Sequence, residues 1–297
     1  MSQPIFAISS STTAGVHLPP LKLVTVAIVD SLQSATTGFN VRNYFDIRKS
    51  GLLLYAPTLS STQSIIFENS AVLPEGTVCV ADQQVSGRGR GSNEWASPPG
   101  CLMFTFLGST TDGRTLPLIQ YIVCIAIIKA IKSCAGFENV DVAIKWPNDI
   151  YVNRKIKIGG ILCQSVFVDG KFKVSIGVGL NVDNAEPTVC LNQLGSVKVS
   201  RAEVLARFLN MYDELYLDFQ QNGFEESLQA KYEAAWLHSN QVVKLDQHQG
   251  KEVTIKGIVP SSGGCLLAID SEGNKLELYP DGNRLDFFQG LISKKMD

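Results

Sequence analysis

Histidine is nearly missing from this chain: 297 residues contain three, His17, His238 and His248. None of the seven cysteines (Cys79, Cys101, Cys124, Cys134, Cys163, Cys190, Cys265) forms a C-x-x-C pair, so no zinc site assembles from sequence. An odd number of thiols, mostly inside apolar runs, suits a reducing compartment where cysteine packs as a small core residue. Positive charge is not in excess either. Lys and Arg number 26 against 28 Asp and Glu, a formal net charge of −2, which gives no general basic surface for nucleic acid. No run reaches the roughly 18 uninterrupted apolar residues that span a bilayer. The longest, Leu118 to Ile128, is broken by Gln120 and stopped by Lys129. No G-K-[ST] occurs anywhere, which excludes a Walker loop.

What remains is an ordinary globular composition, 45% hydrophobic and 18% charged, long enough for one large domain and a small one. Residues 1–50 show one apolar run, Leu23 to Val29, and are rich in Ser and Thr with no acid before Asp30. The first arginine is Arg42, so the start lacks the arginine of a transit peptide and reads as a loose extension of a cytosolic protein. It also lacks the paired amphipathic helices of a helix-turn-helix, so no DNA binding is expected.

Beyond Leu52 the patterning sharpens. Val78-Cys79-Val80 and Leu102 to Phe106 read as strands. Thr115 to Cys134 is apolar on nearly every face, as a buried helix is. Gly159 to Val168 and Phe172 to Val178 flank Asp169-Gly170, a two-residue hairpin turn. Ser200-Arg201-Ala202-Glu203 has capping-box spacing ahead of an apolar stripe from Val204 to Phe219, with Gly223 where the C-terminal cap falls. After Trp236 four short strands (242–245, 253–255, 265–269, 276–278) predict a small β-barrel.

Three segments carry chemistry. Gln84 to Trp95 reads QVSGRGRGSNEW, alternating glycine and arginine so that the loop can approach a ligand while projecting guanidinium groups at anions. Ser92 stands where G-x-G-x-x-G needs its last glycine, so this is no Rossmann turn. Taken alone it reads equally as a solvated loop or an RGG-type RNA contact. Lys145-Trp146-Pro147-Asn148-Asp149 follows a strand whose alternation puts Val142 and Ile144 on one face and Lys145 on the other. A lone strand lysine is commonly a solvated edge residue, but tryptophan, a proline turn and two polar side chains after it suit a built pocket. Lys157-Ile158-Gly159-Gly160-Ile161-Leu162 and Gly177-Val178-Gly179-Leu180-Asn181 put glycines inside strands, a mark of bulges, tight packing or close backbone approach to a ligand.

In that order and spacing, G-R-G-R with a downstream tryptophan, K-W-P-N-D, K-x-G-G-I-L and G-x-G-x-N resemble the biotin protein ligases, or holocarboxylase synthetases. The likeness is strong from Leu54 to Asn181 and weaker beyond. It implies an α/β (α+β) architecture: a class II synthetase-like mixed sheet with flanking helices, then a small SH3-like C-terminal barrel. The corresponding division is an extension at 1–50, a catalytic domain at 51–238 and the barrel at 239–297. The implied reaction joins biotin to ATP as biotinyl-5′-AMP, then passes biotin to a lysine of the carrier domain of carboxylases. Magnesium arrives with ATP and no resident metal is expected.

Carried over by motif, Lys145, Arg88 and Arg90 would be catalytic. Ser61, Thr62, Gln63, Gln84, Gly89 and Gly177, with the same three cations, would hold biotin. Arg88, Arg90, Trp95, Lys145 and Asn181 would face the adenylate. The arginine of bacterial members near the chain end has no counterpart at Pro280-Asp281-Gly282-Asn283. A lipoate or octanoate ligase of the same fold, expected to lack G-R-G-R and K-W-P-N-D, is the enzymatic alternative; a non-catalytic binding module is the other. The location expected is cytosolic, or a chloroplast or mitochondrion for a longer form, with no membrane association.

Overall fold

Leu52–Leu59, Val78–Gln84 and Cys101–Thr110 are apolar over most of their length and buried in long stretches, so each needs neighbours on both sides and cover on both faces. The computed structural model, which describes residues 5–9, 26–28, 39, 44, 52–184, 186–246, 250–280, 283–286 and 290–294, satisfies them in one nine-stranded mixed sheet. Its strands are β1 (Ile5–Ser9), β2 (Val26–Ile28), β3 (Leu52–Leu59), β4 (Val78–Gln84), β5 (Cys101–Thr110), β6 (Val142–Lys145), β7 (Asp149–Val152), β8 (Ile156–Val168) and β9 (Lys171–Asn181). They are ordered β2-β1-β3-β4-β5-β9-β8-β7-β6. The pairs β1–β2 and β3–β4 are parallel; the rest are antiparallel.

The first fifty residues are less detached than their composition predicts. β1 pairs with β3, and Phe39 and Tyr44 are buried, with the Phe39 ring 6.2 Å from that of Tyr55. The signal was weak because strands of five and three residues are too short for a period to show. Of the 23–29 run only Val26–Ile28 is described; His17, His248, Asp281 and Gly282 lie outside the described residues.

Among the described residues four α-helices with given bounds accompany the sheet: α1 (Thr62–Glu68), α2 (Leu116–Ser133), α3 (Arg201–Asn222) and α4 (Glu226–Ala235). By length and composition α2 could cross a membrane, yet it is largely buried inside the fold. Phe104 and Phe106 of β5 project onto α3, their rings 5.2 Å from Phe208 and 4.7 Å from Tyr212. Such aromatic contacts add to the apolar area that closes this face. At its start α3 is capped by Ser200, whose Oγ accepts from the Glu203 N–H at 3.1 Å. The Glu203 carboxylate meets Arg207 one turn later. At the far end Gly223, at φ 77°, donates its N–H to the Phe219 carbonyl. The hairpin between β8 and β9 turns through Asp169 and Gly170, both at positive φ, as a two-residue turn of this hand requires.

The opposite face is where the site forms. β5, β9 and β8 lie in register so that Thr105, Gly177 and Leu162 make one cross-strand row and Met103, Gly179 and Gly160 the next. Three of those six positions are glycine, which leaves the floor bare. The α1 helix covers only part of it, packing Ile65 and Ile66 against Leu54, Ala56, Cys79, Ala81 and Leu107.

The described C-terminal residues form a second sheet of six strands rather than the four predicted: β10 (Val242–Leu245), β11 (Lys251–Val259), β12 (Cys265–Asp270), β13 (Lys275–Leu278), β14 (Asn283–Asp286) and β15 (Leu291–Lys294), ordered β13-β12-β11-β10-β15-β14.

Candidate active site

Over the bare floor lies a cavity of about 910 Å³. Its walls come from segments distant in sequence: the start of α1, the end of β4, the 87–95 loop, the bend after β6 and the glycine rows. Of the residues singled out from sequence, Ser61, Thr62, Gln63, Gln84, Arg88, Gly89, Arg90, Trp95, Lys145 and Gly177 all line it.

One part of the wall is a neutral hydrogen-bonded cluster. Gln84 Oε1 accepts from the Thr62 backbone N–H at 2.8 Å and from its hydroxyl at 3.1 Å, while Gln84 Nε2 donates to Ser97. Gln63 Nε2 donates to Gln164 Oε1 and to the Ser175 carbonyl, fixing which end of the amide is oxygen. Thr105 shares a 2.9 Å contact with Thr62 and donates to Gln63 Oε1. Ser61 Oγ is buried with no hydrogen-bond partner among the described residues, although a buried hydroxyl normally finds one. Thr105 was not picked out from sequence; its signal was one hydroxyl inside the apolar run Leu102 to Phe106. A Cβ at Gly177 would overlap Gln63 Oε1, so a larger residue there would displace that amide.

Farther across the sheet the wall turns cationic. Lys145 ends β6 with its ammonium 5.9 Å from the Tyr151 ring centroid. Lys157 pairs with Asp149 at 2.7 Å and lies 5.8 Å from the Trp95 ring. Arg90 Nη1 reaches Asn148 Oδ1 at 3.4 Å, and Asn148 donates to the Ile161 carbonyl at 2.5 Å. The arginine loop is itself a small hairpin: Arg88 bridges Glu94, the Gly89 N–H donates to the Asn93 carbonyl and the Trp95 N–H to that of Gly87. Arg88 is exposed and Arg90 half-buried. Lys157 and Asp149 belong to motifs noticed in the sequence, but their pairing depends on β7 meeting β8 and was not legible there.

Asn181 stands apart. It is absent from the cavity wall, and its Nδ2 donates to Thr188 Oγ1 at 2.9 Å, so its amide holds the segment after β9. The nearby thiols are no nucleophiles: burial pushes Cys101 up to about 11 and Cys163 up to about 12. Among the described residues no group of three or more His, Cys, Asp or Glu could hold a metal. The arrangement therefore offers an oriented polar cluster for a neutral ligand group and several cations for an anionic one.

The sequence profile of the biotin/lipoate A/B protein ligase family matches residues 55–181, the stretch that supplies nearly all of this wall. Biotin–protein ligase 1, chloroplastic, of Arabidopsis thaliana is 45% identical over 258 residues, covering 82% of this chain and 69% of its own length. The human biotin–protein ligase is 31% identical over 96% of this chain, which spans 42% of the human protein. In structure, the biotin protein ligase of Aquifex aeolicus in complex with biotin and ATP superposes with a TM-score of 0.60 at 26% identity, over 76% of this chain and 95% of that one. A relative 45% identical over 82% of this chain, a shared fold and a cavity built by the matching motifs agree, and this chain belongs to the biotin–protein ligase family.

Proposed function

We propose that this chain activates biotin with MgATP and transfers it to a lysine of biotin carrier domains in carboxylases. In the first step a carboxylate oxygen of biotin attacks the α-phosphorus of ATP. The new P–O bond forms as the bond to pyrophosphate breaks, giving biotinyl-5′-AMP. In the second, the neutral ε-amine of the acceptor attacks the acyl carbon, the C–N bond forms, AMP leaves and the amine gives up a proton.

The observation carrying this reading is the common cavity: Lys145, Arg88 and Arg90 share one wall system with the Thr62–Gln63–Gln84 cluster. A carboxylate is already a nucleophile, so the chemistry needs no base; its obstacle is repulsion between two anions, and preorganised cations lower that barrier. Biotin is apolar apart from its ureido ring and carboxylate. The neutral cluster suits the ring, the bare floor the hydrocarbon, and the cations the acid and phosphate. Magnesium enters with ATP as part of that substrate. Trp95 over the glycine floor suits an adenine face, and closure of the 87–95 loop would keep water from the anhydride.

We read residues 51–238 as the catalytic unit and 239–297 as the barrel, with 1–50 as an extension. We place the chain in the cytosol on its seven free thiols. A plastid form is the alternative that the chloroplastic relative supports. The test is ATP–pyrophosphate exchange with biotin or lipoate, followed by streptavidin detection on an apo carrier domain. Exchange with biotin alone, then carrier labelling, is expected. Exchange with lipoate but not biotin, or none with either, overturns the assignment.

A further inference from the structure

The bend that presents Lys145 is held from behind by a residue no site motif contains. The β6–β7 ladder ends at the Lys145–Asp149 pair, so the Trp146 N–H at the bend has no strand partner across β7. It donates instead to Nε2 of His238 at 2.9 Å. That imidazole is fully buried, and its Nδ1 lies 2.9 Å from Gln241 Oε1. Since Nε2 must keep its lone pair to accept, the ring proton belongs on Nδ1 and the Gln241 carbonyl receives it. An imidazolium would lose the acceptor and would add a charge near the Lys145 ammonium. Burial and that lysine both push the imidazole down, to about 4.

The hold extends into the second sheet. Leu237 donates to the Ile144 carbonyl at 2.9 Å, so residues 236–238 run along the outer edge of β6. The backbone carbonyl of Gln241 accepts from the Ile255 N–H of β11, and the Asn240 N–H donates to the Ile255 carbonyl. From its other end Trp146 is fixed by its indole, which donates to Tyr121 Oη at 3.0 Å; Tyr121 in turn donates to the Gly264 carbonyl just before β12. Trp146 is thus gripped at backbone and side chain by groups tied to the C-terminal sheet.

We propose that His238, as the neutral Nδ1–H tautomer, is a positioning residue that sets Lys145 through the Trp146 N–H and makes the C-terminal sheet part of the reacting geometry. The claim for catalysis rests on the role given to Lys145 above; the claim for geometry does not. His238→Ala removes the acceptor, whereas His238→Gln places an amide oxygen about where Nε2 was. Misplacing a reacting group by about 1 Å can cost on the order of 10²-fold. His238→Ala is therefore expected to lower the kcat of biotin-dependent exchange by about tenfold to hundredfold with the KM for biotin little moved, and His238→Gln to restore most of it.

The full chain is used throughout, and melting curves establish that each variant is folded. If His238→Ala does not fold, Gln241→Ala, which keeps the imidazole but removes the Nδ1 partner, takes its place, with a smaller fall in kcat expected. Two further measurements do not depend on turnover. The imidazole ¹⁵N spectrum should show the Nδ1–H tautomer at neutral pH, and competitive amine labelling read by mass spectrometry should show altered reactivity at Lys145 in the folded variant. An unchanged kcat in a folded variant, or a loss that the glutamine does not rescue, overturns the catalytic claim; an Nε2–H tautomer or unaltered Lys145 labelling overturns the geometric one. If the wild type shows no exchange, the proposed function fails while spectrum and labelling still decide the geometry.

Discussion

The indole of Trp95 lies directly over Gly179, and a Cβ built on that glycine would meet Nε1 at 2.5 Å and Cζ2 at 2.8 Å. The fault is steric and not one of backbone conformation, since Gly179 is not among the positive-φ residues. Gly179→Ala is expected to lift Trp95 from the floor and shift the loop that carries it. The KM for ATP should rise about tenfold and that for biotin change little, the loss of one packed aromatic contact being worth about 1–1.5 kcal/mol. Exchange kinetics titrated separately in each substrate, with intrinsic tryptophan fluorescence, check it. A rise in the biotin KM of similar size would show that the Trp95 end is not the nucleotide end.

Gly177 gives the converse test one row away. A Cβ there would overlap Gln63 Oε1 and stand 3.3 Å from Thr105 Oγ1. Gln63 cannot easily retreat, because Nε2 is held by Gln164 and Ser175. Gly177→Ala is expected to raise the KM for biotin by about tenfold or more and leave that for ATP near wild type, since a displaced polar anchor leaves buried groups unpaired at about 1–3 kcal/mol. Isothermal titration with biotin in the absence of ATP checks it directly, and an unchanged affinity would move biotin elsewhere.

Those two glycines show what could be read from sequence and what could not. G-x-G-x-N left bulges, tight packing and close approach to a ligand all open, while alternation put Gly177 and Gly179 on one face. It put Asn181 on that face too, but its amide is spent on Thr188, a partner only the path of the chain after β9 could reveal. Lys145 was legible as the residue turned away from Val142 and Ile144. His238 was not, since its partner Trp146 lies 92 residues earlier and a lone histidine carries no periodic signal. The two long helices announced themselves by buried faces and a cap, whereas α1, at seven residues, was too short to establish a stripe.

Lys145 lines the cavity with its ammonium 5.9 Å from the Tyr151 ring centroid, where the proposed reaction calls for a cation. Lys145→Ala is expected to lower biotin-dependent pyrophosphate exchange by about 10²–10³-fold, the usual cost of removing one preorganised electrostatic partner. The melting temperature should barely move, because the group is only half-buried and its contact with the ring is long. Exchange near wild-type rates in that variant would take Lys145 out of the chemistry.

The buried imidazole of His238 also gives the fold a defined response to acid. Burial, chiefly, lowers its pKa from 6.5 to about 4 in the folded chain, so the fold favours the neutral ring. The unfolded chain takes up a proton near 6.5 that the folded chain refuses until about 4. Stability is therefore complete above about 6.5, drains as pH falls through that window, and loses nothing more from this group below it. The full loss is on the order of 3 kcal/mol. Carboxylates act lower: Glu75, held to about 2 by its hydrogen bond from Ser109 and by Lys171 and Lys173, releases its contribution only as pH falls from about 4.5 through about 2. Urea unfolding at pH 7, 5.5 and 4.5 on wild type and His238→Gln separates the two. The wild type should lose stability across that range in excess of the glutamine variant, which has no proton to gain there. Equal slopes would mean that the imidazole is protonated as easily inside the fold as outside it, which a ring buried between the Trp146 N–H and Gln241 could not be.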